Sequence, residues 1–317
     1  MKKLNLYVVC FISIAVLVSV ACNAASKVLI ISHCHNRPDF IALQHRTFKA
    51  FLKDEHELVV FNDAPEEDMA QQIDDACNDL SIRCFRVPQT DRVKYPGPFP
   101  PVSSRHGQAL NYSLKKLGFS HDGIVMTVHS DVFLLKEFSA NQFLEGYDIA
   151  GQLQTRCGNK VQFFHTALMF FRMNTLPRKE TITFKHQQIN GVWVDTGGSI
   201  YHYFKANPQV KILFFQPEHR LFLNHELRVQ ALGPDDKLVN LDRFYALRPN
   251  ESVLHRLGFS EKIIRYIAEK KFSPDMEFLL FDTFYHYRRI TTCKLSPNPF
   301  NQNKIKLLHD FIYDILS

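Results

Sequence analysis

The sequence predicts an α/β domain, a mainly parallel sheet flanked by helices with a C-terminal helical extension. Three observations predict it. Short continuous apolar runs recur from Lys27 onward. Amphipathic helical stretches separate them, giving a repeated β–α order over residues 27–131. Polar residues crowd the carboxyl end of each run, where ligands sit in open parallel sheets.

The elements justify this in order. Lys27–Ser32 (KVLIIS) holds a short continuous apolar run, as in a strand buried on both faces. Pro38 stands where a helix begins, and Phe40, Leu43, Phe48, Phe51 and Leu52 share its inner face. Glu57–Phe61 (ELVVF) is a second strand, ended by Asn62 and Asp63. Pro65 opens a second helix running to about Leu80, with acids at its start where the helix dipole favours them. Arg83–Val87 is a third, weaker strand, and the proline-rich Tyr95–Pro101 is a loop. A helix from about Arg105 to Leu117 leads to a fourth strand, Ile124–Val128, which runs straight into His129-Ser130-Asp131. Tyr147–Ala150, Phe163–Phe171 and Val210–Phe215 are further strands, with a helix at Ser199–Lys205. Beyond Glu251, residues 254–271 and 304–316 read as amphipathic helices, and Phe284–Arg289 as a half-buried aromatic strand.

The N-terminus is different. Lys2 and Lys3 precede an uncharged, mostly aliphatic run from Leu4 to Ala21, and small residues follow at Ala21–Ala25. This is the pattern of a secretory signal, and the run also approaches the length of a membrane-spanning helix. Residues 1–25 are therefore expected to be a cleaved signal peptide or an uncleaved membrane anchor, with lipidation at Cys22 a weaker third form. The chain divides as 1–25 targeting, 26–250 α/β domain and 251–317 C-terminal extension. The address is the secretory pathway, anchored to a membrane or exported into a lumen or periplasm.

Composition excludes several classes. The 317 residues are 45% hydrophobic and 22% charged, which is globular rather than disordered. The net charge of +6 comes without a clustered basic stripe, so no nucleic-acid partner is expected. No CxxC pair occurs among the seven cysteines, which argues against a structural zinc site. Cys77 and Cys84 are either a bridge in an oxidising compartment or two buried thiols.

The candidate site follows from strand ends. His33, His35, Asn36 and Arg37 follow strand one, Asp63 follows strand two, and His129-Ser130-Asp131 follow the fourth. In an extended segment His129 and Asp131 point to one side and can share a cation, or Asp131 caps a turn and His129 packs. Imidazole suits manganese, iron or zinc better than magnesium. Val192-Trp193-Val194-Asp195-Thr196-Gly197-Gly198 offers a second acid beside a glycine pair that lets backbone approach a ligand. Asp195 is a general base there, or the cap of the following helix. Phe163-Phe164-His165-Thr166-Ala167 lines an acceptor side or is core.

Together these residues resemble the nucleotide-sugar glycosyltransferases of the GT-A fold, of the family 2 kind, across residues 27–225. His35-Asn36-Arg37-Pro38 looks like the opening where base and ribose bind, and Asp63 like the acid that contacts them. Arg105-His106-Gly107-Gln108-Ala109-Leu110-Asn111 is similar to the helix preceding the metal motif. Val128–Leu134 looks like the Asp-x-Asp segment, with His129 in place of its first acid. The resemblance implies a Rossmann-like nucleotide-diphospho-sugar transferase. Asn36, Arg37, Asp63, Arg105 and Asn111 would bind nucleotide. Asp131, His129 and the late His286 would hold Mn2+ or Mg2+. Arg288 would steady the diphosphate, and Asp195 would be the base. The implied partners are a nucleoside-diphosphate sugar and a glycan, lipid or protein hydroxyl. The His at 129 keeps open a non-catalytic nucleotide- or glycan-binding module. A metal-dependent hydrolase using His33, His35, Asp63, His129 and Asp131 is a third reading, though no HExxH spacing supports it.

Overall fold

The computed structural model describes residues 27–89, 101–156, 160–215, 261, 276–279, 283–287 and 299–317. The expectations for residues 1–25, the helix at 254–271 and Arg288 lie outside them. Among the described residues no helix is long and apolar enough to cross a membrane.

The elements run β1 (Val28–Cys34), α1 (Pro38–Phe51), β2 (His56–Asn62), α2 (Glu67–Asp79), β3 (Arg83–Arg86), α3 (Pro101–Lys116) and β4 (Ile124–His129). They continue with β5 (Val132–Leu134), α4 (Ala140–Phe143), β6 (Ile149–Arg156), β7 (Val161–Arg172), β8 (Gln187–Ile189) and β9 (Val192–Val194). Last come α5 (Ile200–Ala206), β10 (Ile212–Phe215), β11 (Met276–Leu279), β12 (Phe284–Tyr287) and α6 (Pro299–Leu316). Seven strands form one sheet in the order β10-β6-β7-β4-β1-β2-β3. Only β7 runs against its neighbours, β4 and β6; the other pairings are parallel. The protein is thus a mixed α/β fold with a mostly parallel sheet flanked by helices, as the sequence predicts.

Alternation along each central strand explains the continuous apolar runs. Val28 and Ile30 face one core with α1 and α2, while Leu29 and Ile31 face a second core with α3 and α5. Leu58 and Val60 on β2, and Val59 and Phe61, divide the same way. With both faces covered, few positions are left for a polar residue before the strand ends. Each such fully buried aliphatic or aromatic side chain contributes about 1.5–3 kcal/mol relative to exposure.

Two features depart from the sequence reading, and a third decides between alternatives it left open. The C-terminal extension is not purely helical: β11 and β12 join β5 in a separate antiparallel sheet. Phe284 enters the core and Tyr285 packs on Phe311 of α6, so β12 is held from both faces. A hairpin, β8–β9, precedes Asp195. Its turn is Asn190-Gly191 with φ of 51° and 79°, the left-handed pair that this dipeptide favours. Cys77 and Cys84 stand as free thiols, Cys84 donating to Asp74 Oδ1 at 3.3 Å.

Candidate functional site at the carboxyl ends of β1 and β4

After β1 the chain builds β2 and β3 on one side and places β4 on the other. The order reverses between β1 and β4, which opens a crevice beyond their carboxyl ends. His33 and His129 are register partners across that boundary. A cavity of about 460 Å³ fills the crevice, a size suited to a small-molecule ligand. Asn36, Asp63, Arg105, His129, Asp131 and Asp195 all line it.

The turn carrying Asp131 is tied down from beneath. Gln44 on α1 is fully buried; its amide donates to the carbonyls of His129 (2.7 Å) and Val132 (2.8 Å). Its oxygen accepts from Ser32 at 2.7 Å. This fixes the β4–β5 link and aims Asp131, itself 3% exposed, at two imidazoles. His286 Nε2 lies 3.6 Å from Asp131 Oδ1, and His129 Nδ1 lies 3.9 Å from it. One ligand atom from each of the three falls within 4.8 Å of the others. Two imidazole nitrogens and a carboxylate oxygen suit a divalent transition ion, so the residues fit the metal that the sequence reading places there. His286 comes from β12, whose pairing with β5 sets His286 opposite Val132.

Further histidines surround this set. His129 Nε2 is 2.9 Å from His106 Nε2 on α3, their rings edge-to-face at 4.4 Å. His33 packs edge-on to His106 at 5.6 Å. Ser113 gives its proton to the Leu110 carbonyl, so its oxygen receives His33 Nε2–H at 2.9 Å. His165 lines the cavity with its ring 6.1 Å from His129 and 6.0 Å from His286. Burial holds His106 down to about 4; the Asp195 carboxylate pulls it upward and the Arg105 guanidinium opposes that. Burial, then the neighbouring His106, pushes His33 well below its ordinary range. Burial and four surrounding imidazoles do the same to His129. These rings are neutral at pH 7, as metal ligands and their acceptors must be.

Asp195 faces the cavity and caps a 3-10 turn at Thr196–Ser199. Its Oδ1 accepts from the Thr196 amide at 2.7 Å. Capping and a place in the cavity are therefore compatible. The glycine pair beside it is required by packing, and Gly197 also lines the cavity. A Cβ on Gly197 would fall 1.7 Å from the Phe164 carbonyl oxygen, and one on Gly198 would fall 2.1 Å from Val194 Cγ2.

On the other rim, Arg105 Nε lies 3.4 Å from Asp63 Oδ2. His35 donates through Nδ1 to the Asp63 carbonyl at 3.0 Å. Two predicted nucleotide contacts, Arg37 and Asn111, are not among the residues lining the cavity and are engaged elsewhere. Arg37 is 2% exposed; it pairs with Asp39 and lies 4.1 Å above the Phe40 ring. A buried guanidinium needs a carboxylate, and Asp39 is two residues away. His309 of α6 meets the same carboxylate at 3.0 Å, so Arg37 belongs to the seat of the C-terminal helix. Asn111 forms a two-way clamp with Phe184, donating to its carbonyl (2.9 Å) and accepting from its amide (2.7 Å).

Gln44 and His106 are among the site residues not predicted from sequence, as are Ser103 and Gln154 of the cavity lining. Gln44 is a polar residue on a helix face whose neighbours are core, the one local hint available. His106 sits inside a quoted motif, yet nothing local indicates that it meets His129.

No protein-family model matches the chain, and no curated protein matches it. Among solved structures the chain is similar to a mannosyltransferase from Pyrobaculum calidifontis determined with GDP-mannose and Mn2+. The two are 14% identical with a TM-score of 0.38, and the match covers 61% of this chain and 55% of that one.

Proposed function

We propose that this protein is a metal-assisted glycosyltransferase, moving a sugar from a nucleoside-diphosphate donor to a hydroxyl acceptor. The observation that carries the reading is the two-part cavity. A His129–Asp131–His286 donor set lies on one side, and Asp195 lines the same space near His106. His129, Asp131 and His286 would hold a divalent ion, whose charge would offset that of a diphosphate leaving group. Two imidazoles in the set favour Mn2+ over Mg2+. Asn36, Asp63 and Arg105 line the cavity where base and ribose would bind, and Arg105 adds positive charge. Asp195 takes the proton from the acceptor hydroxyl as its oxygen attacks the anomeric carbon. Its link to the Thr196 amide keeps it oriented. Arg288 as diphosphate partner, and a lumenal or periplasmic address set by residues 1–25, are parts of this proposal that rest on sequence alone.

The test is turnover. Full-length protein with Mn2+ is offered a panel of nucleoside-diphosphate sugars, and release of the diphosphate is followed. Asp131→Asn should abolish release while the protein stays folded; unchanged turnover in that variant would sink the assignment. A binding module is the second reading, favoured by a set with one carboxylate where the resembled motif has two. Donor binding without turnover under Mn2+, Zn2+, Fe2+ or Mg2+ selects it.

A further inference from the structure

The contact between His106 and His129 determines which nitrogen of His129 faces the donor set. His129 has two ring nitrogens in different surroundings. Nδ1 faces Asp131 Oδ1 at 3.9 Å, and Nε2 faces His106 Nε2 at 2.9 Å. A neutral imidazole that gives one lone pair to a metal carries its proton on the other nitrogen. If Nδ1 is the ligand, Nε2–H must donate. His106 Nε2 is at hydrogen-bond distance, whereas Thr166 Oγ1 is farther at 3.4 Å.

Helix α3 is built to hold His106 at that height. A Cβ on Gly107 would fall 2.7 Å from the Phe184 carbonyl oxygen, so the helix approaches the irregular segment before β8 as closely as backbone allows. Asn111, one turn on, clamps Phe184 from both sides. Thr196 Oγ1 adds a bond to the Ser103 carbonyl at 3.1 Å in the first turn of the helix. The His33 ring closes against His106 edge-on and is itself pinned by Ser113. The backbone carrying His106 is therefore fixed in height, and the rings of His33 and His129 flank its side chain edge-on.

We propose that His106 is a positioning residue: its Nε2 accepts the Nε2–H of His129, fixing the tautomer and ring angle that turn His129 Nδ1 toward Asp131 and His286. The role of His106 rests on the metal reading of that set, but it adds a residue outside the set and a defined direction of donation. It also explains why α3 is clamped to Phe184 rather than free to meet a nucleotide through Asn111.

The experiment compares full-length wild type, His106→Phe and His106→Gln for Mn2+ affinity by titration calorimetry at pH 7, with melting of each metal-free protein alongside. His106→Phe keeps the ring volume and removes the acceptor; it should weaken Mn2+ binding about 10- to 100-fold, the usual cost of losing an outer partner of a ligating histidine. His106→Gln offers an amide oxygen and should recover most of the loss. Equal affinity in wild type and the Phe variant overturns the role of His106, and so does a Gln variant as weak as the Phe one. Absence of Mn2+ binding by wild type overturns the metal reading itself. A direct measurement needs neither metal nor variant. In the metal-free wild type, long-range 1H–15N correlation of the histidine rings should show His129 protonated on Nε2; protonation on Nδ1 overturns the proposal.

Discussion

The two walls of the crevice are built on opposite principles. On one wall, β1, β2 and β4 run parallel and stop at the cavity, so His35, Asn36, Asp63 and Asp131 come from the loops that follow them. On the other, β7 and β12 deliver residues from within strands. β7 pairs with β4 only from Leu168 onward, and its earlier residues, His165 and Thr166 among them, run past the end of β4. Its register against β6 shifts between Gly151–Met169 and Gln152–His165, an irregularity beside the cavity. β12 presents His286 through pairing with β5. The first wall depends on turns and tethers, the second on register, where a one-residue slip turns every side chain to the opposite face. A site held in both ways resists small displacements from either cause.

Both walls feed one donor set, so the largest effects should be matched. Asp131→Asn and His286→Gln are each expected to weaken Mn2+ binding by more than about 100-fold, beyond the range of an outer-sphere change. Calorimetry checks this; a silent His286→Gln would remove the second wall from the set. Next comes the tether of the first wall. Gln44→Leu strips the His129 and Val132 carbonyls of their buried donor. At about 1–3 kcal/mol for each orphaned group, a loss of ~3 kcal/mol in urea unfolding is expected. The matching change on the second wall is Gly197→Ala, which drives a methyl into the Phe164 carbonyl of β7. Overpacking of this kind costs about 1–3 kcal/mol and should also displace Asp195. Unfolding and donor turnover measured together separate the two effects.

A graded effect is expected from acid. His106 has a folded pKa of about 4, and His33 and His129 are also held low by burial, against an ordinary value of 6.5. Between those values the unfolded chain binds protons that the folded chain refuses. The metal-free protein is therefore fully stable above pH 6.5 and loses stability as the pH falls toward 4. Asp39, held at about 2, adds a second loss below the ordinary carboxyl range. Burial raises it, but hydrogen bonds from His309 and Arg37 outweigh that. Urea midpoints at pH 7, 4.5 and 2.5 read both, and a flat profile would contradict the buried-histidine arrangement. The smallest effect belongs to the hairpin turn. Gly191→Ala meets no atom within 4 Å but keeps φ at 79°, a cost of about 1–2 kcal/mol with no change in Mn2+ affinity.

The first wall was largely readable from the chain. KVLIIS, ELVVF and IVMTV are dominated by continuous apolar runs because both faces are covered, and the polar residues that follow them mark the crevice. The second wall was less so. Phe163–Phe171 reads as a strand, but nothing in its composition says that it runs antiparallel. The Asn190-Gly191 turn was available as a signal, since both residues adopt positive φ, and it fixes the hairpin that leads into Asp195. Arg37 and Asn111 show the converse. Their types suit a nucleotide contact, yet Asp39 and Phe184 satisfy them first.

By itself, then, the sequence determined the strand–helix succession from Val28 to His129, because apolar runs, proline starts and polar ends are local properties. It also singled out Asp131, His129, His286 and Asp195 as chemically capable side chains. Only the tertiary structure decided the direction of β7, the pairing of β12 with β5, the Gln44 tether and the His106–His129 contact. Each joins residues far apart in the chain. Their geometry depends on packing and register that no single segment encodes, so a histidine at 106 becomes the neighbour of one at 129 only once α3 is clamped beside β4.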